Sequence, residues 1–519
     1  MQAGACDSLD VHQVVSDCSV AKYHPVSDST ELLHPHRTGK SLPQTMTQPL
    51  KITQAHIERY DVSGPRYTSY PTADRFVEAF DASAYCKAIE QRNISGWAQP
   101  LSVYVHIPFC ASLCFYCACN KIVTKRYEQS AIYLDYLQRE LDLHLQQLGM
   151  QQAVNQLHLG GGTPTFFNDE ELSRLMHMLK QAFVFSEEGE YSIEIDPRTV
   201  NRQRLQHLRD LGFNRLSFGV QDFNADVQQA VHRVQSYQQV ETLMQDARTM
   251  GYHSMNADLI YGLPRQTPAT FRETITQIIT LRPDRIALYG YAHLPSRFKP
   301  QRRILQDDLP SAVDKIQMLS EAIQQLMQAG YVYIGMDHFA LPDDALAIAK
   351  QQGRLHRNFQ GYSTMADQDI LALGVSAIGK MGASYSQNAK TLEEYYDFLD
   401  QGQLPVVRGL ALSRDDLIRR AVIMAIMCHG ELSYESIELS YMISFREYFE
   451  PELTQLADKQ KQGLLMLEDD GLKVTEMGWF FVRAIAMVFD RYLQHGWYRA
   501  ADSGQIPWQS HVRKTSPSQ

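Results

Sequence analysis

"CASLCFYCAC", residues 110–119, holds four of the eight cysteines of a 519-residue chain, and what this loop binds decides the architecture expected around it. Cys110, Cys114 and Cys117 follow a C-x3-C-x2-C spacing, with Cys119 two residues further on. Four readings compete: a disulfide knot, a structural zinc, a redox dithiol and an iron–sulfur cluster. The N-terminal "MQAGACDSLDVHQ" has neither the basic region nor the apolar core of a secretory leader. A reducing, cytoplasmic setting is therefore expected, and a disulfide framework is disfavoured there. Structural zinc usually takes two separated Cys or His pairs, yet no second pair follows and Cys428 stands alone. A redox pair at Cys114 and Cys117 leaves Cys110 without a role. Three thiolates on a tight loop suit three irons of a four-iron cubane, leaving the fourth iron open for chemistry. The residues alone favour the cluster and leave zinc and dithiol as alternatives.

Outward from this loop the chain alternates. "LSVYVHI", starting at residue 101, is a short apolar strand that runs directly into the cysteines. "QLHLGGGTPT", "YSIEIDP", "NRLSFGVQ", "MNADLIYGLP" and "DRIALYGYAHLP" are further strand-like runs ending in Gly, Pro or polar residues. Helical spacing fills the intervals 129–148, 169–183, 200–210, 236–250, 268–281 and 311–329. None of these strands is joined to the next by a two-residue hairpin turn. Six strand–helix units imply a parallel α/β sheet, either doubly wound or barrel-like, with functional residues at the C-terminal ends of the strands. Residues 1–50 are polar and aperiodic and read as a disordered or variable extension, Cys6 and Cys18 included. Residues 51–100 are expected to form an N-terminal segment packed on the active site, and residues 346–519 a mainly helical domain. "RDDLIRRAVIMAIMCHG" and "TEMGWFFVRAIAMVFDRYL" are its strongest amphipathic helices. With 44% apolar and 21% charged residues the chain can build a sizeable core, and a net charge of −10 argues against a general nucleic-acid binder. It contains no apolar run of 18 residues, so no membrane span is expected.

The cysteine triplet after the first strand, followed by "GGGTPT" after the second, resembles the radical S-adenosylmethionine (SAM) superfamily. The longer strings "YVHIPFCASLCFYCACNKIVT", "GPRYTSYPT", "IEIDPR", "SFGVQDF", "DLIYGLP" and "NFQGYST" resemble the oxygen-independent coproporphyrinogen III oxidases (dehydrogenases) within it. The matching motifs run from about residue 57 to 385. The implied fold is a partial (β/α)6 radical-SAM barrel over residues 101–345 with a mainly helical C-terminal domain.

The resemblance implies a [4Fe–4S] cluster on Cys110, Cys114 and Cys117, its fourth iron taking SAM, and a second SAM molecule beside the first. Tyr104, Gly161, Glu194 and Ile378 correspond to the first-SAM set. Tyr116, Gly162, Thr163, Gln221, Arg233, Asp258 and Ala292 correspond to the second. Physical sense supports several of them: Glu194 and Asp258 can accept from an ammonium or ribose hydroxyls, and Arg233 can pair with a carboxylate. The glycines let backbone approach a ligand closely and offer it amide donors. Cys119 belongs to the motif without being a cluster ligand. The implied substrate is coproporphyrinogen III, two of whose propionates become vinyl groups. Its carboxylates require cations, for which Arg66 and Arg198 are candidates, with Phe359, Gln360 and Cys119 as further contacts. An electron donor such as a flavodoxin or ferredoxin, an unidentified final acceptor and a monomeric state complete the expectation. Relatives that handle haem, as chaperones or haem-degrading enzymes, are the alternative; Cys119, "GPRYTSYPT" and the full second-SAM set favour the oxidase.

Overall fold

Alternation along the strands generates the architecture. In β1 (Leu101–Ile107), Leu101, Val103, Val105 and Ile107 are fully buried in the larger hydrophobic core, while Ser102, Tyr104 and His106 point the other way. The same division recurs in β2 (Gln152–Gly161), β3 (Phe183–Ile195), β4 (Arg215–Gln221), β5 (Ser254–Tyr261) and β6 (Arg285–Gly290). Their apolar residues meet the helices, and their polar residues share one inner face. These six strands are parallel and lie side by side in chain order. Right-handed crossovers between strands in sequential order place all the helices on one side. Of the two architectures open to the sequence, this order selects the barrel-like one, and the sheet does not close on itself.

The crossover helices start where the sequence supplies caps. Asn168 and Glu171 form a reciprocal capping box at Asp169–Ala182, as do Thr267 and Thr270 at Pro268–Leu281 and Ser311 and Asp314 at Ala312–Gln328. The expected helices 169–183, 268–281 and 311–329 thus match to within two residues.

The computed structural model describes residues 64–94, 99–365 and 367–494; the expectations for residues 1–50, Cys6 and Cys18 among them, lie outside the described residues. Three features were not expected. First, residues after 346 do not pass straight into helices. Strands β9 (Ile370–Leu373), β10 (Ile378–Met381), β11 (Ser384–Asn388) and β12 (Val406–Ala411) extend the main sheet beyond β1, with β9 parallel to it. Beyond β6, β7 (Val332–Gly335) and β8 (His338–Ala340) complete twelve strands. Second, two-residue hairpins do occur, at these edges. The turn at Met336–Asp337 places both residues at positive φ, 35° and 73°, without the Asn-Gly pair that normally marks such a turn. Third, the long amphipathic run 475–493 is broken into short helices at Phe481 and Asp490, and Asp490 is held out of helix while accepting a hydrogen bond from Tyr67 at 3.0 Å.

That contact belongs to a second hydrophobic core built by residues 334–489 around the helix Arg414–His429, into which Tyr67 and Tyr70 are completely buried. The "GPRYTSYPT" segment is therefore anchored to the helical region, leaving Arg66 beside the barrel.

Candidate active site

The cysteines leave the C-terminal end of β1. Phe109–Cys110 pairs in parallel with Ile122–Val123, closing residues 111–121 into a loop pinned at its base. The loop is tied down elsewhere by Phe115 N–H donating to Val231 O at 3.0 Å and by Gln301 Nε2 donating to Tyr116 O at 3.0 Å. Gln301 is 1% exposed and also donates to Ala292 O at 3.2 Å, joining the cysteine loop to the segment after β6.

Two glycines set the seam between this loop and β2. Gly161 has φ +116°, where a side chain is strained, and a Cβ there would meet the His106 ring at 2.7 Å. At Gly162 a Cβ would fall 2.6 Å from Pro108 O. The amides of this segment are not left for a ligand as expected. Gly161 N donates to Glu194 Oε2 at 3.2 Å, Gly162 N to Ile107 O at 2.8 Å and Thr163 N to Phe109 O at 2.9 Å. Close approach is what the glycines provide; their donors hold the loops together.

Around the thiols the charge is positive. Arg233 Nη1 and Arg198 Nη2 each lie 3.7 Å from Cys114 Sγ, and Thr163 Oγ1 donates to Cys110 Sγ at 3.4 Å. Lys121 Nζ donates to Cys117 O at 3.0 Å. Between the two arginines sits Asp196, 8% exposed, accepting from Arg198 at 2.6 Å and from Arg233 at 3.2 Å. Burial alone would raise its pKa, but the Arg198 hydrogen bonds and the Arg233 charge overcome that and hold it below the usual carboxylate range. Burial pushes the Cys110 thiol up to about 11. A hydrogen bond from Cys119, helped by Lys121, brings Cys117 down to about 6.

The donor set fits a cluster better than a single ion. Among the described residues no three His, Cys, Asp or Glu side chains converge tightly enough to hold one metal ion, whereas a cubane offers three separate irons to three thiolates and accepts a wider spacing. Arg198, Arg233 and Lys121, offset by the single Asp196 carboxylate, leave net positive charge beside the thiols.

Deeper on the inner face, Tyr104 OH meets His106 Nδ1 at 2.9 Å, and its ring stacks on His158 at 5.9 Å. His158 Nε2 lies 3.4 Å from Glu194 Oε1. Asp258 accepts from Asn256 at 2.8 Å and Ser217 at 3.1 Å, and burial, followed by the nearby Glu194 charge, raises its pKa to about 6. Gln221 ends β4 at a register shift with φ 69°, an uncommon conformation for a non-glycine residue and a frequent one at functional bulges. Ala292 is exposed and Ile378 half-buried at the start of β10. Arg233 Nε has no hydrogen-bond partner among the described residues although the side chain is buried.

The substrate candidates separate. Arg66 is 40% exposed at its side chain, with Asp337 at 3.7 Å and the Tyr289 ring at 5.0 Å. Arg198 is already committed to Asp196 and faces Cys114. Phe359 packs edge-on against Tyr385 at 5.5 Å, Gln360 reaches Ser102 at 3.5 Å, and Cys119 is exposed on the loop. A cleft of about 1030 Å³ elsewhere, between the helix Ala82–Ile94 and residues 390–408, is lined by none of these candidates. Asp196, His106, His158 and Gln301 are site residues that sequence reading did not single out. The signal available for His106 and His158 was their alternation with apolar neighbours in "YVHI" and "LHLG".

Comparison with known proteins gives a consistent result. The Radical SAM superfamily matches residues 104–278, and the HemN C-terminal domain matches residues 412–481. The chain is 50% identical over 439 residues to an oxygen-independent coproporphyrinogen III oxidase of Pseudomonas aeruginosa, covering 84% of this chain and 95% of the relative. The Escherichia coli relative of the same name is 48% identical over 440 residues, covering 85% and 95%. The crystal structure of coproporphyrinogen III oxidase (HemN) from Escherichia coli, described as a radical SAM enzyme, superposes with a TM-score of 0.81 at 46% identity, covering 86% of this chain and all of that one.

Proposed function

The chain belongs to the oxygen-independent coproporphyrinogen III oxidase family of the radical SAM superfamily, and from that premise we propose that it converts two propionates of coproporphyrinogen III to vinyl groups, giving protoporphyrinogen IX in oxygen-independent porphyrin and haem formation. When bound, a [4Fe–4S] cluster and SAM supply the one-electron chemistry that activates the propionate C–H bond. The observation that carries the reading is a cysteine-rich loop at the C-terminal end of a barrel strand, with Arg198 and Arg233 each 3.7 Å from Cys114 Sγ and Lys121 on the loop itself.

Each residue then has a task. Cys110, Cys114 and Cys117 hold the cluster, and the Thr163 hydroxyl and the three cations balance its charge. Asp196 keeps Arg198 and Arg233 aimed at Cys114 and lets two like charges lie side by side. Tyr104, Gly161, Glu194 and Ile378 hold one SAM. Tyr116, Gly162, Thr163, Gln221, Arg233, Asp258 and Ala292 hold a second, for whose carboxylate the free Arg233 Nε is a ready donor. Arg66 receives a substrate propionate, while Arg198, whose Nε and Nη2 bond Asp196 and whose Nη2 also lies 3.7 Å from Cys114 Sγ, serves the cluster and keeps Nη1 for an anion. Phe359, Gln360 and Cys119 line the approach. For each propionate, a hydrogen atom would pass from the β-carbon to the radical that SAM would supply, carbon dioxide would leave the chain end, and the remaining electron would pass to an acceptor. The protein acts as a monomer in the cytoplasm, and a flavodoxin- or ferredoxin-type carrier reduces it.

The test is an anaerobic single turnover of the reconstituted protein with reductant, SAM, an electron acceptor and coproporphyrinogen III, read by mass. Two successive losses of carbon dioxide and two hydrogens are expected. SAM cleavage with the tetrapyrrole intact would overturn the substrate assignment and direct attention to haem as ligand.

A further inference from the structure

The chain as a whole is acidic, with a net charge of −10, yet the surface around the cysteine loop is not. Residues 111–127 contain three basic and no acidic side chains, and residues 290–306 contain four basic and no acidic ones. The fold joins these two segments at Phe115 and Tyr116. The Arg303 guanidinium sits 5.1 Å from the Phe115 ring centroid, and Gln301 donates to Tyr116 O at 3.0 Å. Lys125, Arg126, Arg297, Lys299, Arg302 and Arg303 are all exposed, and none forms an ion pair among the described residues. Unpaired like charges gathered on an otherwise acidic protein repel one another, which is a cost the fold alone does not explain.

Apolar side chains stand among them. Val123 is 45% exposed, Tyr127 61%, Leu294 44% and Leu305 65%. A cationic rim with interspersed apolar residues is the composition of a surface that meets an acidic protein transiently, with charge steering the encounter. Lys125 and Arg126 follow Thr124, whose N–H donates to Cys110 O at 3.0 Å, and Arg303 packs on Phe115 beside Cys114, so a partner seated here lies beside the cysteine loop.

We propose that this face, centred on Lys125, Arg126, Lys299 and Arg302, is the docking surface for an acidic one-electron carrier protein. The reduced carrier would give up one electron, being oxidised by one equivalent, to the cluster that Cys110, Cys114 and Cys117 would hold. This rests on the cluster reading above. Positive charge continues at Arg297, which lies near enough to Lys390 and Arg408 to help burial depress the proton affinity of both.

Two double variants, Lys125→Glu with Arg126→Glu and Lys299→Glu with Arg302→Glu, test it in the full-length, reconstituted protein. Association with an acidic flavodoxin is measured by calorimetry or surface resonance across a salt series, alongside turnover driven by dithionite, which needs no docking. Each double variant is expected to weaken association by ~10-fold or more at low salt and to flatten its salt dependence, with dithionite-driven turnover within about two-fold of the parent. Unchanged affinity in both variants overturns the proposal. So does a rise in the substrate KM under dithionite, which would make the patch a funnel for the anionic tetrapyrrole. A parent protein that binds no cluster and shows no dithionite-driven turnover would instead sink the cluster reading, and the association arm would still report on the surface by itself.

Discussion

The two ends of the barrel strands are built from the same residue types and use them differently. At the N-terminal ends each buried arginine has a carboxylate of its own, Arg215 pairing with Glu190 at 2.9 Å and Arg285 with Asp344 at 2.9 Å, although Arg215 Nη1 and Arg285 Nη2 have no hydrogen-bond partner among the described residues; nearby, Ser102 donates to Gln156 at 2.9 Å. At the C-terminal ends the charges do not balance within the chain. Two arginines share one aspartate, the pKa of Asp258 is raised to about 6, and Gln221 has an uncommon backbone conformation. One carboxylate per arginine stabilises a fold, whereas two arginines on one carboxylate beside thiols leave positive charge for a ligand. The lesson is that neither polarity nor a single unpartnered nitrogen marks a site; the charge balance does.

That contrast is broken most completely at the thiols. Cys110→Ala, Cys114→Ala and Cys117→Ala are each expected to abolish cluster-dependent activity, with iron and sulfide content measured after reconstitution, while thermal unfolding of the unreconstituted protein shifts little. At the closed end the effect should fall on stability instead. Asp344 is 8% exposed, accepts from Ser254 and Arg285, and caps the helix Ala345–Gln351. Asp344→Asn leaves Arg285 without its counter-charge and is expected to cost ~3 kcal/mol in denaturant unfolding, with activity per folded molecule near the parent.

Asp258 gives the contrast a pH signature. Its pKa is raised to about 6 in the folded chain, against ~4 in an unfolded one. Folding therefore favours the protonated form, so the cost of ionising it is absent below ~4, grows between ~4 and ~6, and is fully present above. Asp258→Asn should lose this dependence and gain on the parent as pH rises through that window, by at most ~2–3 kcal/mol; urea midpoints at pH 4 and pH 7 on unreconstituted protein check it. A parallel offset at both values would show that Asp258 is not the titrating group. Smallest is the change expected at Asp196. Asp196→Asn keeps the shape but frees Arg198 and Arg233, and a ~10- to 100-fold fall in turnover is expected from disturbing a neighbour of the cluster ligands, with iron content retained. Loss of iron instead would make Asp196 a requirement for cluster assembly.

Much of this was legible before any coordinates. The cysteine spacing, the glycines and the strand–helix alternation depend on local sequence, and the six parallel strands follow the expected runs. What could not be read depends on chain closure. Asp196 in "IEIDPR" reads locally as the cap of a short turn, which it also is; that Arg233, 37 residues later, returns to the same carboxylate is set by the packing of β4 against β3. The same holds for β9, whose pairing with β1 spans more than 260 residues, and for the Met336–Asp337 turn, which has no turn-forming residue pair to announce it. Arg198 lies in the same motif as Asp196, and motif membership does not say that its guanidinium turns back onto that carboxylate and toward Cys114.

The most direct test of the account is electron paramagnetic resonance of the reduced, reconstituted protein with and without SAM, in the parent and in four cysteine variants. A [4Fe–4S]+ signal that changes on adding SAM, disappears in the Cys110, Cys114 and Cys117 variants and persists in Cys119→Ser is the expected result. A signal indifferent to SAM, or one that survives loss of any of the three and fails only without Cys119, would contradict it.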